Sequence, residues 1–71
     1  MEDCMEFKDA YKLMKRGCLV RRHDWKGYWY WDAHKKTIMM MCADGPAMDI
    51  RATEDVEFTM SNILSDDWEE V

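Results

Sequence analysis

Glycine is scarce in this sequence, with three residues among 71, and a Gly-rich phosphate loop cannot be built from so few. The sequence also lacks a G-x-S-x-G turn, a P-loop and an H-E-x-x-H motif. Adjacent carboxylates occur at residues 54–55, 66–67 and 69–70, and such pairs are more typical of a solvated surface than of acid–base catalysis. We therefore expect a protein that is not an enzyme and that needs no cofactor.

Cysteine is also sparse, and its number is odd. Cys4, Cys18 and Cys42 cannot all pair within one chain, and unpaired thiols suit a reducing compartment. Neither a C-x-x-C nor an H-x-x-x-H spacing links them with His23 and His34, so the sequence predicts no metal site. No apolar run approaches the ~18 residues of a membrane span, and the N-terminus lacks the features of a signal peptide. We expect a cytoplasmic protein.

Positive charge is in deficit, because 10 basic and 15 acidic residues give a formal net charge of −5. This balance argues against duplex nucleic acid or an anionic membrane surface as a partner. The length predicts one domain, residues 1–71, with a small core. Four Trp and eight Met residues exceed what such a core can cover, so we expect a homo-oligomer, either a dimer or a tetramer.

A helical period predicts the first element. Apolar residues from Phe7 to Cys18 recur on one helix face, and Gly17 is a natural stop, so we expect a helix at residues 6–16. After Gly17 the period changes to two, which indicates strands. The expected strands lie at residues 19–23, 28–32, 37–42, more weakly 47–51, and finally 68–71.

Turn and cap residues connect these elements. Residues 33–36 fit a hairpin loop, and the D-G and G-P pairs indicate a turn at 43–46. Thr59 is expected to cap a short helix at residues 60–64. The sequence therefore predicts an α+β fold, in which an N-terminal helix packs on a small, strongly bent antiparallel sheet and a short second helix precedes the C-terminal strand.

Aromatic residues are concentrated in one expected strand. Trp29 and Trp31 share one face, while Tyr28 and Tyr30 share the other. One face can lie in the core and the other at a subunit interface, or the rings can form a wall that stacks on a planar base. Trp25 lies in the polar turn 24–27, where folding alone poorly explains a large apolar ring, so we expect a functional role for it.

Arg22 is expected on the same strand face as Val20, toward the helix. A buried arginine must be paired or must face a ligand. Asp66 or Asp67 could pair with it, and its guanidinium is also suited to bidentate contact with a phosphate. Trp68 is expected to be a structural residue at the start of the last strand.

The order of these elements resembles the Thoeris anti-defence 2-like family of small phage and prophage proteins. The resemblance is carried by residues 7–10, 20–25 and 62–69 and covers roughly residues 6–31 and 56–71. It implies a homo-oligomeric sponge without enzymatic activity, in the cytoplasm of an infected or lysogenic bacterium. Such a sponge sequesters a cyclic ADP-ribose derivative, or in some members a cyclic oligonucleotide, that serves as an immune second messenger.

Site residues follow from the motifs of that family. Arg22 and Trp25 match its Arg-x-x-Trp element, and Asp67 belongs to its closing Asp-Trp element. With Tyr28 from the aromatic strand, these are the expected contacts to a cyclic nucleotide-derived ligand. The alternative function is a small acidic module that docks on a host or phage protein, and a hydrolase of the same messenger is a third.

Overall fold

The computed structural model describes residues 4–42 and 45–71 and confirms the α+β fold. Within that part of the chain, five antiparallel strands form one sheet in the order β4-β3-β2-β1-β5. The elements are α1 (Phe7–Lys15), β1 (Val20–Arg22), β2 (Tyr28–Asp32), β3 (Thr37–Met41), β4 (Met48–Asp49), a 3-10 helix (Ile50–Ala52), α2 (Val56–Ile63) and β5 (Trp68–Glu70).

Helix α1 ends where the sequence predicts. The Gly17 amide donates to the Met14 carbonyl oxygen at 2.9 Å, and the Cys18 amide donates to that of Leu13 at 3.0 Å. This pattern is a Schellman motif, which requires a left-handed residue just after the helix. Gly17 supplies it with φ of 101°, and the chain then turns back into β1.

The core lies between α1 and one face of the sheet. Val20 of β1 is opposite Trp29 of β2, which is in turn opposite Met40 of β3. Directly opposed residues share a face, and this face packs on α1. The buried apolar cluster consists of Ala10, Met14, Val20, Trp29, Ile38, Met40 and Trp68.

The opposite face of β2 and β3, which we call the tyrosine face, carries Tyr28, Tyr30, Met39 and Met41. Tyr30 is opposite Met39 and Tyr28 is opposite Met41. The alternation expected for the aromatic strand is therefore confirmed. The two tyrosine rings lie 6.3 Å apart by their centroids, and α1 lies on the other side of the sheet.

The hairpin loop expected at residues 33–36 is present. The Asp32 carboxylate accepts from the amides of His34 and Lys35 at 2.9 and 3.0 Å, and Lys36 has φ of 56°. The turn expected at 43–46 lies partly outside the described residues, because these do not include 43 and 44.

Two expected elements are placed differently. Strand β4 ends at Asp49 because the Asp49 carboxylate accepts from the Arg51 amide at 2.8 Å and from its guanidinium, a local turn that competes with strand pairing. Helix α2 begins at Val56, so the expected Thr59 cap is wrong. The Asp55 carboxylate caps the helix instead, accepting from the Phe58 amide at 2.9 Å.

No helix in residues 4–42 and 45–71 is long and apolar enough to cross a bilayer.

Candidate functional site

Arg22 forms an ion pair with Asp67, one of the two partners expected from the sequence. Its Nε donates to Asp67 Oδ1 at 2.8 Å and its Nη2 donates to Oδ2 at 3.2 Å. The register places Arg22 directly opposite Trp68, the residue after Asp67. The Arg22 and Asp67 side chains remain 29% and 35% exposed, so the pair lies at the edge of the core.

The ion pair shifts both titrations. The hydrogen bonds from Arg22 lower the pKa of the Asp67 carboxyl. The same bonds raise the pKa of Arg22, which burial alone would lower. Both groups are therefore held in their charged forms.

Asn62 of α2 completes this network. Its Oδ1 accepts from Arg22 Nη1 at 2.8 Å, and its main-chain oxygen accepts from the indole Nε1 of Trp68 at 2.9 Å. Only 1% of Asn62 is exposed. Its Nδ2 makes no hydrogen bond within the described residues, and a buried donor in that state costs about 1–3 kcal/mol. The network thus joins α2 to β1 and β5. The Nδ2 group of Asn62 remains as a donor without a hydrogen bond in the described part of the chain.

Sequence reasoning did not single out Asn62. It belongs to the terminal segment that carries the family resemblance, but hydrophobic periodicity gives no sign that a polar residue is buried. In the structure Asn62 is buried, Ile63 packs partly on the core, and Leu64 is 78% exposed. The one signal in the sequence that Asn62 could belong to the site was its position in the same closing segment as Asp67.

The Trp25 ring packs on the core. Its centroid lies 5.5 Å from that of Trp29 and 5.2 Å from that of Trp68. The premise that folding leaves this ring unexplained is therefore wrong. The backbone is fixed as well, because the Trp25 amide donates to the Arg22 carbonyl oxygen at 3.0 Å and the Trp25 carbonyl accepts from Arg21 Nη1 at 3.3 Å.

Trp25 also lines an open cleft of about 320 Å³, which we call the Trp25 cleft. Gly27 brings the loop against the end of β3, where a Cβ would overlap the carbonyl oxygen of Met41. The cleft is therefore built on a close backbone contact that only glycine permits. Its lining residues are Asp24, Trp25, Lys26, Gly27, Trp29, Met40, Met41, Cys42 and Phe58.

The four expected ligand contacts are only partly brought together. Arg22 and Asp67 touch each other, and Trp25 joins them through its amide. Tyr28 is on the tyrosine face beside Tyr30, across the sheet from Trp29. In a single chain, Tyr28 thus faces away from the core side of the sheet, where Trp25 packs on Trp29.

Comparison with protein families gives a match over almost the whole chain. The model of the Thoeris anti-defense 2-like domain matches residues 5–71. The chain belongs to this family. The Thoeris anti-defense 2-like match includes residues 32–55, which the resemblance of the two ends did not cover. Among curated proteins, a search finds no match to the chain.

Proposed function

We propose that the protein is a phage or prophage sponge that binds an immune second messenger in the bacterial cytoplasm without turning it over. The messenger is of cyclic nucleotide type, either a cyclic ADP-ribose derivative or a cyclic oligonucleotide. The observation that carries this proposal is the Thoeris anti-defense 2-like match over residues 5–71. The Trp25 cleft supports it with a shape and chemistry suited to a planar base.

Base stacking is the first part of the proposed mechanism. Trp25 and Phe58 both line the cleft, and Phe58 is 54% exposed although its side chain is large and apolar. Aromatic faces stack on bases without regard to base identity, at about 1–3 kcal/mol per base. A base that stacks here would cover Phe58 and the part of Trp25 that lines the cleft.

Phosphate neutralisation is the second part. Lys26 lines the same cleft and forms no ion pair within the described residues. Arg22 uses three of the five N–H groups of a guanidinium on Asp67 and Asn62. Arg22 does not line the cleft itself, but its carbonyl oxygen holds the Trp25 amide, and its other two N–H groups can bind a phosphate beside the cleft without displacing Asp67.

Assembly is the third part. The tyrosine face carries partly buried rings and methionines, and α1 packs on the other side of the sheet. We propose that copies of the chain associate through this face as a dimer or tetramer. In such an assembly Tyr28 lies at the interface, so its proposed ligand contact depends on the neighbouring copy.

Ligand capture and release test this proposal. The purified protein is incubated with cyclic ADP-ribose isomers and cyclic oligonucleotides, separated from free ligand, heated and analysed by chromatography. We expect one candidate to be retained and released unchanged. Recovery of every candidate in the unbound fraction, without a thermal shift, would refute the sponge, and release of an altered product would indicate a hydrolase.

Two variants of α2 locate the site. Phe58→Ala should reduce ligand affinity by about 5- to 160-fold, since one stacked base contributes about 1–3 kcal/mol. Val56→Ala is the control. Val56 lies on the same helix, is apolar and 65% exposed, and does not line the cleft. The control should bind like the wild type, and equal losses in both variants would argue against the Trp25 cleft.

A protein-interaction module is the second candidate function, and α2 favours it. The helix exposes Val56, Phe58 and Met60 and buries Thr59 and Asn62, while Ile63 packs partly on the core, so most of its apolar side chains face outward. An acidic chain with such a helix suits a partner that is basic and apolar. Pull-down from host lysate separates the two functions: a stoichiometric protein supports docking, and a co-purified nucleotide supports the sponge.

A further inference from the structure

Three extended segments lie side by side at one end of the sheet. The Met5 amide donates to the Trp68 carbonyl oxygen at 2.8 Å, and the Trp68 amide donates to that of Met5 at 3.1 Å. This antiparallel bridge sets Cys4 opposite Glu69. On the other side of β5, Arg21 is opposite Glu69, and His23 follows Arg21 on the same face.

The bridge brings three metal-ligating side chains together. One ligand atom each from Cys4, His23 and Glu69 lies within 4.8 Å of the other two, and His23 Nδ1 is 3.2 Å from Glu69 Oε1. Zinc bonds of about 2.0–2.3 Å in a tetrahedral site place neighbouring ligand atoms about 3.3–3.7 Å apart. The cluster therefore needs only small side-chain rotations to reach coordination geometry.

Glu69 is already oriented for such a role. Arg21 Nε donates to Glu69 Oε2 at 3.0 Å, which leaves Oε1 toward His23. Ligating carboxylates in metal sites are commonly held by an outer hydrogen bond of this kind. Arg21 is thus a positioning residue, and it also reaches the Trp25 carbonyl oxygen.

We propose that Cys4, His23 and Glu69 form a zinc site. The thiolate, imidazole and carboxylate set suits Zn²⁺, and three protein ligands leave a fourth position for water. Binding displaces the thiol proton of Cys4 and the proton that His23 holds in its ion pair with Glu69, and it leaves the coordinated group neutral, since the two anionic ligands balance the ion. The ion would fasten the segment before α1 to β1 and β5, beside the buried Trp68.

Cobalt serves as the spectroscopic probe for this site. The full chain, stripped of metal with a chelator, is titrated with Co²⁺ while near-ultraviolet thiolate-to-cobalt absorption is recorded, and Zn²⁺ is then added as competitor. We expect one equivalent of Co²⁺ per chain and loss of the band on adding Zn²⁺. Cys4→Ser should abolish the band, and His23→Ala should weaken binding by more than tenfold, since even outer partners change metal affinity by about 10- to 100-fold.

Matched controls come from residues outside the cluster. Cys42→Ser and His34→Ala alter side chains that are likewise exposed, and both should titrate like the wild type. Zn²⁺ should raise the melting temperature of the wild type but not that of Cys4→Ser. Absence of the band in the wild type, or its persistence in Cys4→Ser, would overturn the zinc site and leave an ion pair of His23 and Glu69.

Discussion

The two helices of this protein are held by different forces. Helix α1 buries Ala10 and Met14 against the sheet, as an amphipathic helix does. Helix α2 buries Thr59 and Asn62 and is joined to the sheet by hydrogen bonds to Arg22 and Trp68. The comparison shows that apolar packing holds α1, whereas α2 packs partly on the core through Ile63 and leaves Val56, Phe58 and Met60 exposed.

Trp68→Ala should have the largest effect, because both helices depend on this residue. The ring lies 5.2 Å from Phe7 of α1 and donates to Asn62 of α2. We expect a loss of about 3–5 kcal/mol in the free energy of unfolding, measured by chemical denaturation. That loss can unfold a domain of this size, and a loss below 1 kcal/mol would contradict the central role of Trp68.

Arg22→Met should loosen α2 selectively. It leaves Asp67 and Asn62 without their donor, and we expect a loss of about 1–3 kcal/mol, reduced from that of a fully buried pair by partial exposure. Hydrogen exchange should rise in α2 more than in α1. Arg51→Met is the control, since its pair with Asp49 is exposed and local, and an equally large loss there would show that Arg22 has no special role.

Low pH should weaken the ion pair between Arg22 and Asp67. The hydrogen bond from Arg22 lowers the pKa of Asp67 in the folded state, so the resulting stability is present above the unfolded pKa of about 3.9. It declines as the pH falls through the lower, folded pKa. Melting temperatures measured downward from neutral pH should fall more steeply in the wild type than in Arg22→Met, and parallel curves would argue against this contribution.

Leu64→Ser should have the smallest effect on stability. Leu64 is 78% exposed at the end of α2, so we expect a change within about 0.5 kcal/mol, measured by denaturation. If α2 docks on a protein, the same variant should lose the stoichiometric partner in pull-down. A large loss of stability would mean that the outward face of α2 is part of the fold after all.

Local chemistry made α1 and the central strands predictable. The helical period and Gly17 define α1, and the alternation of residues 28–32 defines β2 and its two faces. Helix α2 was placed four residues late because Thr59 was taken as its cap, and its buried residues are polar, so hydrophobic periodicity could not correct the start. Its true cap, Asp55, was a plausible choice that Thr59 displaced.

The site could be predicted only in part. An ion pair with Asp66 or Asp67 was one of two alternatives for Arg22, beside a ligand contact, and alternation alone could not choose between the two carboxylates, since that choice depends on the register of β1 with β5. Asn62 is buried with its Oδ1 and its main-chain oxygen bonded to residues of distant strands. Cys4 and His23 are likewise united by strand pairing, which no short spacing in the sequence reveals.

The bridge between Met5 and Trp68 also bears on aggregation. Without it, β5 would be an edge strand, with unpaired amide and carbonyl groups that invite pairing with another chain. The segment before α1 occupies that edge, and β4 at the opposite edge is only two residues long before the Asp49 turn. Met5→Pro, which removes the donating amide, would therefore open one side of the sheet to self-association between strands.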